Sequence, residues 1–155
     1  MVNAFYALPV TIKIDTPLGA LGIIHAEVPM FIKDWQHVEF AVEDINLAKL
    51  NKSLFVWGRT RYEPSYGRLD PNERVKNVEL IICGHTPVNQ PTRRGNHLTI
   101  DTGVVFGVTG RYDLHDHPAL TLVDLTNQQI ILFPIRYGEL DTDNMARKEI
   151  SIINH

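Results

Sequence analysis

The feature that most constrains this sequence is an apolar run that ends abruptly in a polar turn. Residues 78–83 read Val-Glu-Leu-Ile-Ile-Cys, and Gly84, His85, Thr86 and Pro87 follow directly. Short apolar runs rich in β-branched residues and bounded by Gly and Pro are typical of buried strands. The run therefore predicts a central strand with a histidine just beyond its carboxyl end, where ligands bind in open α/β sheets.

A second histidine, His25, is placed in the same way, because it follows the apolar segment 20–24. If the two strands are neighbours, the His25 and His85 rings lie close together and can share one metal ion, since neutral imidazole is a common metal ligand. For either histidine alone, the commoner alternative is an ordinary polar residue at the end of a strand. Two histidines in the same setting favour the metal hypothesis.

The hydrophobic patterns predict an α+β domain with a mixed, largely antiparallel sheet and few helices. The expected strands are 10–14, 20–24, 78–83, 97–101, 119–125 and 129–134, with a short buried strand or turn at 54–57. The first two strands, and the last two, are expected to form hairpins.

Helical and polar segments complete the prediction. The expected helix spans 38–50, with a helical turn at 72–77. Loops are expected at 63–71, 90–95 (with Arg93 and Arg94 in solvent) and 108–117, and a helical or irregular segment at 141–148. The predicted organisation is one partial domain over 1–140 and a carboxyl-terminal tail over 141–155.

The composition is that of an ordinary globular domain. The 155 residues are 44% hydrophobic and 21% charged, with a formal net charge of −3. Such a balance argues against nucleic-acid or membrane-surface partners, and no apolar run approaches the roughly 18 residues that span a bilayer. No signal-peptide pattern is present, and the single cysteine, Cys83, is expected as a buried residue in a reducing, cytoplasmic compartment.

Five short motifs then occur in an order and at a spacing that indicate a family. They are Gly-Ile-Ile-His-Ala-Glu-Val-Pro (22–29), Val-Trp-Gly-Arg-Thr-Arg (56–61), Cys-Gly-His-Thr-Pro (83–87), Ile-Asp-Thr-Gly-Val-Val-Phe-Gly (100–107) and Leu-Thr-Leu-Val-Asp-Leu (120–125). Together they resemble the carboxyl-terminal half of phage-type and bacterial serine/threonine protein phosphatases. These enzymes belong to the calcineurin-like metallophosphoesterases, which are built on a β-sandwich and also include the symmetrical diadenosine tetraphosphate hydrolases.

The resemblance implies particular roles for residues of this chain. His25 and His85 match ligands of the second metal in a dinuclear centre, and Arg59 matches the arginine that grips the substrate phosphate. Asp101 matches a residue that supports the site from an adjoining strand. The expected cofactor is a divalent metal, Mn²⁺ first, with Fe or Zn²⁺ as alternatives. By itself, the sequence marks Arg59 as a surface arginine, Asp101 as a turn-forming residue and Thr86 as a hydroxyl able to orient a ligand ring.

The sequence departs from the family in its amino-terminal half. The Gly-Asp-x-His, Gly-Asp-x-x-Asp-Arg and Gly-Asn-His-Glu motifs, which carry the first metal's ligands and the catalytic histidine, do not occur at their expected places. No residue of this chain is therefore assigned as catalytic. Two near-matches, Gly-Asn-His at 95–97 and Asp-Leu-His at 113–115, follow no predicted strand, and we expect no metal role for them.

Three interpretations of function remain open. The first is a metal-dependent phosphoester hydrolase acting on phosphorylated proteins or small phosphoesters, incomplete without a complementary amino-terminal half or self-association. Two imidazoles without a carboxylate should hold a metal only weakly in the isolated chain. The second is a non-catalytic remnant that binds a partner protein through an exposed sheet face. The third is a dinucleotide polyphosphate hydrolase.

Overall fold

A computed structural model describes residues 8–43, 52–62 and 70–150. In chain order the elements are β1 (Thr11–Thr16), β2 (Gly19–Ile24), α1 (Trp35–Glu43), α2 (52–57), β3 (Leu80–Cys83), β4 (Thr92–Arg94), β5 (His97–Thr99), α3 (Val104–Val108), β6 (Ala119–Asp124), β7 (Gln129–Arg136), β8 (Glu139–Leu140) and β9 (Ala146–Glu149). The predicted α+β class, with mixed, mostly antiparallel sheets and few helices, is confirmed.

The first sheet has five strands in the order β1-β2-β3-β5-β4. Its three inner strands are parallel, with Ile23 opposite Ile82 and Ile82 opposite Leu98, while β1 and β4 run antiparallel at the two edges. The predicted hairpin of β1 and β2 is confirmed. Because β2, β3 and β5 are parallel, their carboxyl ends meet at one edge, which we call the rim.

The second sheet is antiparallel and pairs β7 with β6, β8 and β9. It contains the second predicted hairpin, β6–β7. Ile130 of β7 packs with apolar residues of the first sheet, namely Leu21, Leu80, Ile82 and Leu98. The two sheets therefore share a core, and burying it removes a large apolar area from water.

The opposite face of the first sheet is covered by the helices and by the segment before α1. The core there joins residues from both, including Ile24, Val28, Trp35, Val38, Phe55, Ile81 and Cys83. Since Ile81 and Cys83 face this core while Leu80 and Ile82 face the second sheet, β3 is buried on both sides. A strand buried on both faces has no polar alternation, which explains its unbroken apolar sequence.

The helices differ from their predictions. The helix predicted over 38–50 begins at Trp35 and is described as far as Glu43, so residues 44–50 lie outside the described part. The strand or turn predicted at 54–57 was wrong, because residues 52–57 are helical. Phe55 is 0% exposed and Trp57 is 69% exposed, a one-sided burial that a short apolar run does not reveal.

Three polar segments are more ordered than predicted. Residues 72–77 form no helical turn; Lys76 instead makes a parallel bridge with Asp34. Arg94 lies in β4 and stacks on Tyr62 at 4.7 Å from the ring centroid, so it is not solvated as expected. Within 141–148, predicted to be helical or irregular, β9 begins at Ala146 and pairs with β7.

The parts of the predicted loop and tail at 63–69 and 151–155 fall outside the described residues. In the described ranges, no helix has the length and apolar character needed to cross a membrane.

Candidate metal and phosphate site

The two strand-end histidines face each other at the rim. Their ring centroids are 5.1 Å apart, and the ring planes make an angle of 52°. The Gly84 N–H donates to the His25 carbonyl O at 2.8 Å, so the pairing of β2 with β3 continues to the histidines themselves. The predicted adjacency of His25 and His85 is confirmed, while their role as metal ligands stays a prediction.

A strained turn points the His85 ring toward its neighbour. His85 has φ = 65°, in the left-handed region that non-glycine residues seldom adopt. The turn is closed by the Thr86 N–H, which donates to the Gly84 carbonyl O at 2.7 Å. Backbone strain of this kind costs on the order of 1–3 kcal/mol and concentrates at functional sites.

Arg59 and Trp57 complete the cluster around His85. The Arg59 Nε–H donates to His85 Nε2 at 3.4 Å, and the Trp57 ring meets the imidazole edge-on with centroids 5.2 Å apart. Burial lowers the pKa of His85, and the positive charges of Arg59 and His25 lower it further. The lowered pKa favours the neutral form of the ring, which is the form that can bind a metal.

Asp101 lies on the adjoining strand extension, after β5. Its Oδ1 accepts the Gly103 N–H at 3.0 Å, and its carbonyl accepts the Val88 N–H at 2.8 Å. Its charge raises the pKa of His85, against the larger lowering effects. Asp101 thus fastens the turn that follows β5 and lies near the imidazoles. The predicted supporting roles of Asp101 and Thr86 stay predictions.

The donor set at the rim consists of two imidazole nitrogens. Across residues 8–43, 52–62 and 70–150, no three His, Cys, Asp or Glu side chains are grouped so that they can hold a metal ion. Zn²⁺ and Mn²⁺ sites use at least three protein donors, often including a carboxylate. His25 and His85 are therefore fewer donors than such a site uses.

The near-match histidines have different environments. His97 is 0% exposed, and its Nε2 accepts the Val28 N–H at 3.3 Å; burial lowers its pKa well below the usual range. His115 is buried, stacks on Phe106 with centroids 6.1 Å apart, and donates from Nε2 to the Val88 carbonyl O at 3.1 Å. In both residues the ring nitrogen Nε2 is hydrogen-bonded to the protein backbone.

One residue of the site was missed in the sequence. Glu27 is 1% exposed, and its carboxylate accepts from Thr60 N at 2.8 Å, from Thr60 Oγ1 at 2.5 Å and from Arg61 N at 3.0 Å. It therefore fastens the residue that follows Arg59. The available signal was a charged residue inside the otherwise apolar stretch 26–32, because buried carboxylates are rare unless hydrogen-bonded.

No known family model matches this sequence, and no curated protein matches it at a significant level. The assignment of roles at the rim depends on the sequence motifs and on the geometry given above.

Proposed function

We propose that this chain forms one side of the active site of a metal-dependent phosphoester hydrolase of the serine/threonine protein phosphatase type. The observation that carries the proposal is the cluster at the rim, where His25 and His85 lie 5.1 Å apart and Arg59 lies 3.4 Å from His85. Neutral imidazoles bind divalent metals, and a guanidinium offers a planar fork to phosphate oxygens.

In this proposal His25 and His85 hold one divalent cation, with Mn²⁺ as the first choice and Fe or Zn²⁺ as alternatives. A metal bound there supplies charge stabilisation at a phosphoryl group and an activated hydroxide nucleophile. The protein's own contribution is to favour the neutral form of His85 and to hold the two rings facing each other. The strained His85 backbone and the Gly84–His25 hydrogen bond serve this purpose.

Arg59 holds the phosphate in this proposal. Its side chain is exposed, and its Nε–H already points to the face where His85 Nε2 lies. A phosphate placed between Arg59 and the metal would be gripped by a charge-assisted hydrogen bond, which is worth about 1.5–3 kcal/mol. Substrates are then phosphorylated proteins or small phosphoesters.

The donor set makes a second component part of the proposal. Two imidazoles bind a metal weakly, so a complementary amino-terminal half or a second copy of the chain has to contribute carboxylates. We also place the chain in the cytoplasm, since a protein with a single cysteine gains no internal disulfide from an oxidising compartment.

Hydrolysis assays test the proposal. The chain is mixed with Mn²⁺ and with the amino-terminal half of a phosphatase of the resembled family, and p-nitrophenyl phosphate, a phosphopeptide and diadenosine tetraphosphate are offered in turn. We expect release of phosphate that is lost in His85→Ala and reduced at least about tenfold in Arg59→Ala. Arg111→Ala, an exposed arginine paired with Asp113, is the matched control and should leave the rate unchanged.

The same assays separate the alternatives. Preferred cleavage of diadenosine tetraphosphate would favour the dinucleotide polyphosphate hydrolases. No hydrolysis of any of the three, together with no effect of His85→Ala on metal binding, would overturn the proposal in favour of a non-catalytic binding module.

A further inference from the structure

Glu27 is a buried carboxylate whose position the reaction does not by itself require. It is not a ligand in the proposed site, and at 1% exposure it cannot reach substrate. Burying a carboxylate costs free energy unless each oxygen accepts hydrogen bonds. All three of the donors named above come from two adjacent residues, Thr60 and Arg61. The hydrogen bonds of the carboxylate named above thus all go to one short segment, residues 58–61.

Segment 58–61 also packs tightly on the carboxylate at its other end. A Cβ on Gly58 would lie 2.8 Å from Glu27 Oε1 and 2.5 Å from the Leu54 carbonyl O, closer than real contacts allow. The Gly58 N–H donates to that same Leu54 carbonyl, at the end of α2. Only a residue without a side chain fits at position 58. Both chain neighbours of Arg59, Gly58 and Thr60, are therefore held against Glu27.

The buried guanidinium of Arg61, the last residue of this segment, binds elsewhere. Arg61 Nη1 donates to the carbonyl O atoms of Pro71 at 2.9 Å and of Glu73 at 3.1 Å. Arg61 contributes only its backbone N–H to the contacts with Glu27 named above. The Glu27 carboxylate consequently holds the backbone at 58–61 in place. It thereby sets the direction in which the Arg59 side chain projects.

Glu27 also lies two residues after His25, just beyond the bend that follows β2. The Ala26 N–H between them donates to the Phe55 carbonyl O at 3.0 Å, which ties this segment to α2. The hydrogen bonds of Ala26 and Glu27 therefore connect the segment that carries His25 to the backbone that carries Arg59. These bonds hold the proposed metal ligand and the proposed phosphate-binding group at a set separation, and preorganisation of this kind contributes to affinity.

We propose that Glu27 is a positioning residue that holds segment 58–61 so that Arg59 presents its guanidinium to phosphate beside the imidazole pair. The inference rests on the proposed role of Arg59. It predicts that phosphate affinity depends on hydrogen bonds to Glu27 that phosphate itself never touches.

The test is an NMR titration of the ¹⁵N-labelled full chain with inorganic phosphate, which yields a Kd from the Arg59 Nε–H and Thr60 amide signals. Glu27→Gln keeps the shape but turns one acceptor into an N–H donor facing another N–H. We expect this change to weaken phosphate binding about tenfold, because a misplaced Arg59 would lose its charge-assisted hydrogen bond to phosphate.

Two changes at position 60 give an independent reading if Glu27→Gln folds poorly. Thr60→Val removes the hydroxyl that donates to Glu27 and should also weaken phosphate binding. Thr60→Ser keeps the hydroxyl and should bind phosphate as the wild type does. Glu149→Gln, at an exposed carboxylate on β9, is the matched control and should bind like the wild type. Hydrogen exchange of the Thr60 and Arg61 amides should accelerate in Glu27→Gln.

The outcomes separate this inference from the proposed function. If Arg59→Ala loses phosphate binding while folded Glu27→Gln and Thr60→Val bind it with the wild-type Kd, the inference is overturned and the function stands. A lower melting temperature with unchanged Kd would mean that Glu27 serves stability alone, which also overturns it. If Arg59→Ala binds phosphate as the wild type does, the proposed function fails and the inference fails with it.

Discussion

Two pairs of histidines in this chain lie in opposite environments. His25 and His85 stand at the open rim and face each other, whereas His97 and His115 are buried and hydrogen-bonded to backbone groups. Histidines of both pairs occur in short motifs that resemble metal-binding segments. The position of a histidine relative to the end of a predicted strand therefore separates the rim pair from the buried pair more clearly than the identity of its neighbours does.

The difference is one of access. A buried imidazole that accepts from or donates to the backbone stabilises the fold, and solvent and ligands do not reach it. At the rim, His25 is exposed and His85 is partly exposed, and Arg59 and His25 contact His85 through their side chains. The buried pair should thus show its effect in stability and the rim pair in binding.

The largest expected effect is on stability, at His97. His97→Ala leaves a cavity and an unpaired Val28 N–H in the core, and should lower the free energy of unfolding by about 3 kcal/mol. Urea denaturation measures this. A variant as stable as the wild type would remove the distinction between the two pairs.

His115 should show a smaller effect of the same kind. His115→Ala loses the stacking on Phe106 and the hydrogen bond to Val88, together worth about 2 kcal/mol. His117→Ala, at an exposed position two residues away, is the control and should change stability by less than about 0.5 kcal/mol. Equal losses in both variants would mean that burial at 115 is not what stabilises this region.

At the rim the effect should appear in metal affinity. His25→Ala and His85→Ala should each weaken Zn²⁺ or Mn²⁺ binding at least about tenfold, since each removes one of two donors, and should leave the urea midpoint nearly unchanged. Isothermal titration calorimetry gives the affinities, with exposed His37→Ala as control. Similar losses in His37→Ala would show non-specific binding.

The last expected effect concerns pH. Burial lowers the pKa of His97 in the folded protein, so the unfolded chain takes up a proton first as the pH falls below about 6.5. The free energy of unfolding should therefore fall by about 1.4 kcal/mol per pH unit below that value, until the folded-state pKa is reached. Comparison with His97→Gln isolates this contribution. Parallel curves for the two proteins would contradict it.

The sequence was sufficient for the strands whose apolar pattern is clear and bounded by turn residues. The run at 78–83 became β3, and the two hairpins form as predicted, because turn residues and apolar runs leave little choice there. The same local logic placed His25 and His85 at strand ends, and parallel pairing of β2 and β3 then brought them together.

Other features depend on contacts that local patterns do not contain. α2 was missed because four apolar residues fit either a strand or a helix, and the burial of Phe55 beside the exposure of Trp57 is not visible in the sequence. β4 and β9 have polar sequences and become strands by pairing with neighbours already in place. Glu27 was missed because its partners, Thr60 and Arg61, are more than thirty positions away in the sequence.

His25 and His85 should bind one metal ion together, and imidazole nitrogen NMR of the ¹⁵N-histidine-labelled chain, titrated with Zn²⁺, can show this. We expect the ring signals of His25 and His85 to shift along a single saturation curve while those of His97 and His115 stay fixed. Independent curves for the two rim histidines, or a shift in only one of them, would contradict it.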